Sequence, residues 1–363
     1  MNKEITNIDA NYALDIVKNI CQKVGPGLAG STKERERAII IEKELKSHLG
    51  EENVLVEKFR VAPFAFVGTY SVSAIFMFIA VLLNISIGFF SGLLTWITSI
   101  TALVFSVLSP VIFILEFILG YKLIDPLFRK KESLNVIGTF RKPETKKVKR
   151  LLIISGHHDS APENTWLRYS GYGLFFLSGT FFISFITLLI MSIIQLSGII
   201  FGNLKLISFG TIGWILLIYP IIPSVIFGIT FVKGRKNYGN VPGAADNLSA
   251  CSLAVAMCRF LVKNPSYIPN DIEIRFITFG SEEAGCRGAR NYIENHLDEL
   301  KQLDVRLLNY ETVVFPEITI LTSDVNGTVK NSNELIESLV AAAKRAGIPY
   351  ILKPSMLGVS NDS

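Results

Sequence analysis

Charge is what this chain has least of. Only 18% of its 363 residues are Asp, Glu, Lys or Arg, against 50% hydrophobic, and the mean hydropathy is +0.41. An ordinary soluble protein carries about a quarter of its residues as charges, so part of this chain is expected to live in lipid. Residues 61–115 hold no Asp, Glu, Lys or Arg over 55 positions, and a helix needs about 20 apolar residues to cross a hydrocarbon layer of roughly 30 Å. A second block, residues 169–232, has one charge, Lys205, near its middle. Soluble core helices rarely exceed about 25 residues. The pattern predicts four membrane helices in two hairpins, residues 61–119 and 169–232, the second with crossings near 172–198 and 207–232. Pro110, Pro220 and Pro223 lie inside these blocks and are expected to kink them.

Cysteine is also scarce. Cys21, Cys251, Cys258 and Cys286 show no Cys-x-x-Cys spacing, which favours reduced, structural thiols. No secretory signal is visible, since the first 60 residues are polar and helical in pattern. Charge within the apolar blocks is limited to Glu116 and Lys205, close to helix ends, which disfavours an ion or proton path. The formal net charge of +5 comes mostly from residues flanking those blocks and from residues 141–150, with six basic residues and one acidic. No aromatics interleave those ten positions, so a solvated loop is favoured over nucleic-acid binding. Anionic lipid headgroups are a further partner for that charge.

Two hairpins return the chain to its starting side. Residues 1–60, 120–168 and 233–363 then share one compartment and can build one discontinuous domain. Lys58, Arg60, Lys122, Arg129, Lys130, Lys131, Arg168, Lys233, Arg235 and Lys236 flank the hairpins on that side, against Lys205 opposite. The excess of basic residues predicts a multi-pass membrane protein with this domain in the cytoplasm.

Outside the hairpins the pattern alternates strand and helix, which predicts an α/β fold: a mixed sheet with helices on both faces. Helices are expected at 8–23, 32–49, 248–263, 286–300 and 332–346. Strands are expected at 54–61, 134–140, 150–155, 272–279, 305–312, 317–322 and 349–352. A Gly- and Pro-rich loop, Gly25-Pro26-Gly27-Leu28-Ala29-Gly30-Ser31, separates the first two helices, with Ser31 or Thr32 as cap.

Three of the strand-like runs end in the same kind of residue. Leu151 to Ile154 lead into Gly156-His157-His158-Asp159-Ser160, Ile272 to Phe279 into Gly280-Ser281-Glu282-Glu283, and Val305 to Leu308 into Asn309-Tyr310-Glu311. Strand ends are where α/β enzymes place their chemistry. Ala244-Ala245-Asp246-Asn247 adds a carboxylate ahead of a helix. His157, Asp246, Glu283 and Glu311 supply the imidazole nitrogen and carboxylate oxygen that zinc favours. Two adjacent acids let Glu283 bind metal while Glu282 takes a proton from water. Singly, each has a plainer reading: Asp246 as a helix cap, Glu282 and Glu283 as first-turn acids facing a helix dipole. Their joint placement at one edge favours the metal site. His48 and His296 sit on polar helical stretches and are expected to be solvated; Cys286, near Glu283, is expected to be a small buried side chain.

These motifs resemble the co-catalytic di-zinc exopeptidases of the aminopeptidase Y and glutamate carboxypeptidase II type. The likeness covers the 25–31 loop, Asn135-Val136-Ile137-Gly138, the GHHDS run at 156–160, Gly243 to Asn247, Glu282-Glu283-Ala284-Gly285 and Ser360-Asn361-Asp362. It implies that His157 binds a first zinc, Asp159 orients that imidazole, Asp246 bridges two ions, Glu283 binds the second and Glu282 is the general base. Glu311 matches the remaining carboxylate ligand of the first zinc, a position where the family more often has Asp; His158 falls at a variable position and receives no role. The hairpins depart from the family pattern, although a loop whose ends lie close together accommodates such insertions. The family's last zinc ligand is a histidine beyond the Ser-Asn-Asp segment, so the chain is expected to be incomplete at Ser363 and, as given, inactive for lack of it.

The leading expectation is a membrane-embedded zinc metallopeptidase, an aminopeptidase acting on peptide substrates. A glutaminyl cyclase-like acyltransferase, which uses one zinc on a similar scaffold, and a non-catalytic membrane scaffold with a peptidase-like domain are the alternatives.

Overall fold

The computed structural model describes residues 5–163, 171, 173–233, 241–324 and 329–355. Arg168, Arg235, Lys236 and the Ser360-Asn361-Asp362 motif lie outside these residues. In chain order the elements begin α1 (Asn7–Lys23), α2 (Thr32–Leu49), β1 (Val54–Val61), α3 (Ala65–Ser86), α4 (Leu93–Phe113), β2 (Lys131–Arg141) and β3 (Arg150–His157). There follow α5 (Gly173–Ile200), α6 (Leu204–Ser208), α7 (Thr211–Ile218), α8 (Ile221–Lys233), α9 (Ser249–Lys263), β4 (Ile272–Phe279), α10 (Arg287–Leu300) and β5 (Asp304–Asn309). The last are β6 (Ile318–Leu321), β7 (Ser323–Asp324), β8 (Val329–Lys330), α11 (Asn333–Ala346) and β9 (Tyr350–Lys353). They divide into two compact units: Met1–Pro63 with Phe128–Ala161 and Asn240–Ser363, and Phe64–Leu127 with Pro162–Gly239.

The first unit is built on a five-stranded mixed sheet of order β1-β2-β4-β3-β5. β1 and β2 run antiparallel to their neighbours, whereas β3, β4 and β5 are parallel to one another. Side chains alternate between the faces with the period of two that a strand imposes. Val136, Ile154, Ile274 and Phe276 pack with Ile20 of α1, Ile41 of α2 and Cys251 and Val255 of α9. Ile137, Ile153, Ile277 and Phe279 turn the other way, onto Ala289 and Tyr292 of α10. Helices therefore cover both faces, as expected of strands apolar along their whole length. Each predicted strand and helix of this unit is present. β2 starts earlier than expected, at Lys131, and β5 ends at Asn309 instead of continuing to residue 312.

Two expectations about histidine need correcting. His48 is half-buried: its Nε2 lies 2.7 Å from the Tyr12 hydroxyl, and burial lowers its pKa. His296 Nε2 lies 2.5 Å from Glu57 Oε1, and its ring lies tilted against that of Tyr292, 4.5 Å between centroids. Neither is simply solvated, because a polar helical stretch still buries the one stripe that faces the sheet.

The second unit is helical and apolar. Among the described residues, five helices are long and apolar enough to cross a membrane by length and composition: Ala65–Phe89, Leu93–Ile118, Phe176–Ile200, Thr211–Gly228 and Ala244–Lys263. Four coincide with the expected crossings. The fifth includes α9, whose Cys251, Ala254, Val255 and Cys258 belong to the sheet core of the first unit. The fourth is interrupted between α7 and α8, where Pro220 has no N–H to continue the helix. Lys205 lies exposed in the short α6 between two spans. Polar side chains line the interior: Asn84 Nδ2 donates to Ser192 Oγ at 2.9 Å, Ser106 Oγ lies 2.8 Å from Ser192 Oγ, and Gln195 Nε2 donates to Asn84 O at 3.0 Å. These contacts tie the helices to one another inside the apolar unit.

Candidate metal centre

The parallel register brings the chemistry to one edge. His157 pairs with Phe279 of β4, and Ser155 pairs with Asn309 of β5. The three chains therefore leave the sheet side by side, carrying His157 to Asp159, Gly280 to Glu283, and Tyr310 with Glu311. Gly156 admits the fourth segment: a Cβ there would lie 2.6 Å from the Ala250 Cβ, so only glycine lets the start of α9, and Asp246 before it, approach β3 this closely.

His157 is the centre of the cluster and only 1% exposed. Its Nε2 lies 3.0 Å from Asp246 Oδ1, 3.5 Å from Glu311 Oε1 and 3.7 Å from Glu282 Oε2, while its Nδ1 lies 3.3 Å from Asp159 Oδ1. Ligand atoms of His157, Asp246 and Glu311 fall within 4.8 Å of one another, as do those of His157, Glu282 and Glu283. All six residues singled out from the sequence thus meet at this edge. Asp246 and Glu283 do not share one of these groups, so the arrangement gathers His157 with two acid pairs.

The plainer readings of the acids do not fit. The cap position of α9 is Leu248 and no side chain caps that helix, so Asp246 does not serve as its cap. α10 starts only at Arg287, beyond Glu282 and Glu283. Their amides are held instead by Asp159, which accepts from Glu282 N at 3.0 Å and Glu283 N at 3.1 Å. Cys286 is only partly buried, with its Sγ 3.4 Å from Glu282 Oε1, so it borders the site instead of filling the core.

Three residues that hold the site were not picked out from the sequence. Asn247, fully buried, donates from Nδ2 to Tyr310 O at 2.9 Å and accepts from Thr312 N at 3.3 Å, joining the Asp246 turn to Glu311. Arg37, also fully buried, donates to Gly25 O, His158 O and Pro242 O, which ties the Gly-Pro loop to two of the site's segments. Glu34 accepts from Gly30 N and Ser281 N. On sequence alone the last two are ordinary charges in a Lys-Glu-Arg-Glu-Arg run. Their distance from Ser31 in the helix was the sole signal, since positions three and six residues on from the cap include the inward face.

The electrostatics describe a place short of positive charge. Burial, with Glu282 and Asp159 nearby, pushes the Glu283 carboxyl up to about 9. Burial also raises Glu311. For His157, burial opposes the proton, but Glu282, Asp159, Asp246 and Glu311 outweigh it and hold its pKa well above the usual value. The adjacent His158 is lowered to about 4 by burial, which the nearby Asp159 does not offset. Glu311 Oε2 is buried with no hydrogen-bond partner among the described residues. An orphaned carboxylate oxygen beside an imidazole and further acids fits a divalent cation, whose charge would satisfy them together. The donor set, one nitrogen and several carboxylate oxygens, suits zinc.

Residues 231–362 match the family model of Peptidase family M28. Over that stretch, about a third of the chain, the sequence is similar to Peptidase family M28. This supports a co-catalytic zinc exopeptidase family, as the motifs implied. Over 108 residues the chain is 37% identical to the aminopeptidase YwaD of Bacillus subtilis strain 168; that stretch is 29% of this chain and 22% of the relative's length. The fold is similar to that of BSAP, a zinc aminopeptidase from Bacillus subtilis, with a TM-score of 0.50 at 16% identity over 99% of this chain and 82% of the other. A glutaminyl cyclase from an Acidobacteriales bacterium aligns at a TM-score of 0.49 and 11% identity over 100% of this chain and 76% of that one. At such identities the likeness to solved structures concerns the fold alone.

Proposed function

We propose that this chain is a membrane-embedded zinc aminopeptidase that releases residues from the amino terminus of peptides. The observation that carries the reading is the convergence of Asp246, Glu282 and Glu311 on one imidazole nitrogen of His157, all within 3.7 Å. His157, Asp246 and Glu311 would hold one zinc ion, and Glu283 would help to hold a second. When bound, zinc supplies Lewis acidity that acidifies water and polarises a carbonyl. Asp159 fixes the imidazole from Nδ1 and the acid pair from its two amides, so ligand and base keep their spacing. Glu282, 13% exposed and not among the proposed ligands, takes the proton of the attacking water and delivers it to the departing amine. The 55-residue uncharged run and the exposed Phe89, Leu93, Phe176 and Ile186 of the second unit support lipid as its solvent. The basic flanks support a cytoplasmic peptidase domain.

The test uses full-length chain extracted from membranes with detergent. Zinc-dependent release of the amino-terminal residue from short peptides is expected, falling by about 10²–10⁴-fold in Glu282→Gln. Activity retained in that variant would refute the assignment of the base. Cyclisation of amino-terminal glutamine with a single bound zinc, in place of hydrolysis, would assign the chain to the acyltransferase alternative.

A further inference from the structure

Glu34 lies outside the ligand set, yet it reaches the acid pair. It stands in the first turn of α2 and is 1% exposed. Its helix accounts for one oxygen: Oε2 accepts from Gly30 N at 2.7 Å, a local contact like those of capping carboxylates. Oε1 serves distant segments. It accepts from Ser281 N at 2.8 Å, Ser281 Oγ at 3.0 Å and, from β2, Ser133 Oγ at 2.9 Å.

Ser281 has φ of +55°, in the left-handed region that a side chain disfavours. The next two amides, of Glu282 and Glu283, go to Asp159. Three successive amides are therefore held by two buried carboxylates from separate elements, where helices and strands would use backbone carbonyls. The same turn is wedged from behind. A Cβ on Gly280 would lie 2.4 Å from Leu134 O, and Gly280 N donates to Asn135 Oδ1. Two carboxyls this close are costly: burial, then Asp159, pushes Glu34 up to about 8. Helix capping alone would not need Oε1.

We propose that Glu34 is a positioning residue for the Glu282–Glu283 pair, holding Ser281 in the left-handed conformation from which both acids reach the metal centre. The catalytic consequence rests on the zinc peptidase reading; the geometric one does not. Glu34 contacts neither ligand nor substrate and acts through Ser281.

The experiment uses full-length chain in detergent, as wild type, Glu34→Gln and Glu34→Asp. It reads amide hydrogen exchange at residues 281–283, zinc affinity by chelator competition, and kcat against KM. Glu34→Gln is expected to speed exchange at those amides and to weaken one class of bound zinc by about 10–100-fold. It should lower kcat while KM stays within about twofold, with Glu34→Asp intermediate. Unchanged exchange and zinc affinity would overturn the proposal. So would a loss spread over the whole unit and matched by a fall in Tm, since that is what a purely structural carboxylate would give. If Glu34→Gln fails to fold, Ser281→Ala replaces it, removing the hydroxyl contacts to Glu34 and Ser133 while keeping the amide contact: the same local signature at lower amplitude supports the proposal, and none refutes it. Wild-type protein that binds no zinc would sink the peptidase reading, while exchange at 281–283 would still decide the role of Glu34.

Discussion

Glu283 and its neighbours give the metal centre a pH dependence of definite sign. A carboxyl raised from 4.5 to about 9 stays protonated in the folded chain at pH values where the unfolded chain has released its proton. Folding then takes up a proton, so stability contributed by this group is fully present below about 4.5 and is lost as pH rises towards 9. Glu34, raised to about 8, acts in the same direction. So does His157, whose raised pKa means stability lost as pH climbs through the folded value. Asp246 is held low by its bond to His157, so its contribution fails only in acid. Each unmatched proton is worth about 1.4 kcal/mol per pH unit. Chelator-treated protein should therefore melt at a lower temperature at pH 8 than at pH 6, and added zinc should reverse that order by replacing the protons. A Tm in chelator that rises over this interval would contradict the account. Of the proposed ligands, His157, Glu283 and Glu311 were readable because each follows an apolar run, and Asp246 because it precedes a helical pattern. Glu34, Arg37 and Asn247 were not, because their roles depend on partners more than 60 residues away, such as Asn247 with Tyr310.

Between elements, the site depends on how closely α10 approaches the turn that carries the acids. A Cβ on Gly288 would lie 2.2 Å from Gly280 O and 2.9 Å from Gly280 N, both backbone atoms that cannot swing aside. Gly288→Ala must push the helix away from β4. A loss of about 1–3 kcal/mol is expected from such overpacking, together with weaker zinc binding; circular dichroism melts and metal titration measure both, and a neutral effect would show that the turn is not held by α10. Strands and helices of the sheet unit were legible from periodicity, since their apolar residues recur at two or 3.6. Element ends were less so. β5 ends at Asn309, and three residues on Thr312 adopts φ of +49°, a left-handed conformation that apolar content does not reveal. Composition alone also cannot separate α9, an apolar helix buried on a sheet, from a membrane span.

For the molecule as a whole, discontinuous segments build one sheet unit although two long apolar blocks interrupt them. The order of motifs along the chain kept the family likeness legible despite those insertions, because the catalytic edge needs only the strand ends and the turn before α9. The membrane reading came from the absence of charge, and the exposure of Phe89, Leu93 and Phe176 on the second unit agrees with it. The polar interior around Asn84 and Ser192 left no such mark, since isolated Asn, Ser and Gln in apolar runs do not announce that they face one another.

X-ray absorption at the zinc edge, on full-length protein purified with zinc and then exchanged into metal-free buffer, tests the central claim most directly. The account predicts retained zinc with a shell of carboxylate oxygens and one imidazole, at about 2.0–2.2 Å, lost when His157 and Asp246 are both replaced by Ala. Zinc absent from the wild type, or a shell unaltered in the double variant, would contradict it.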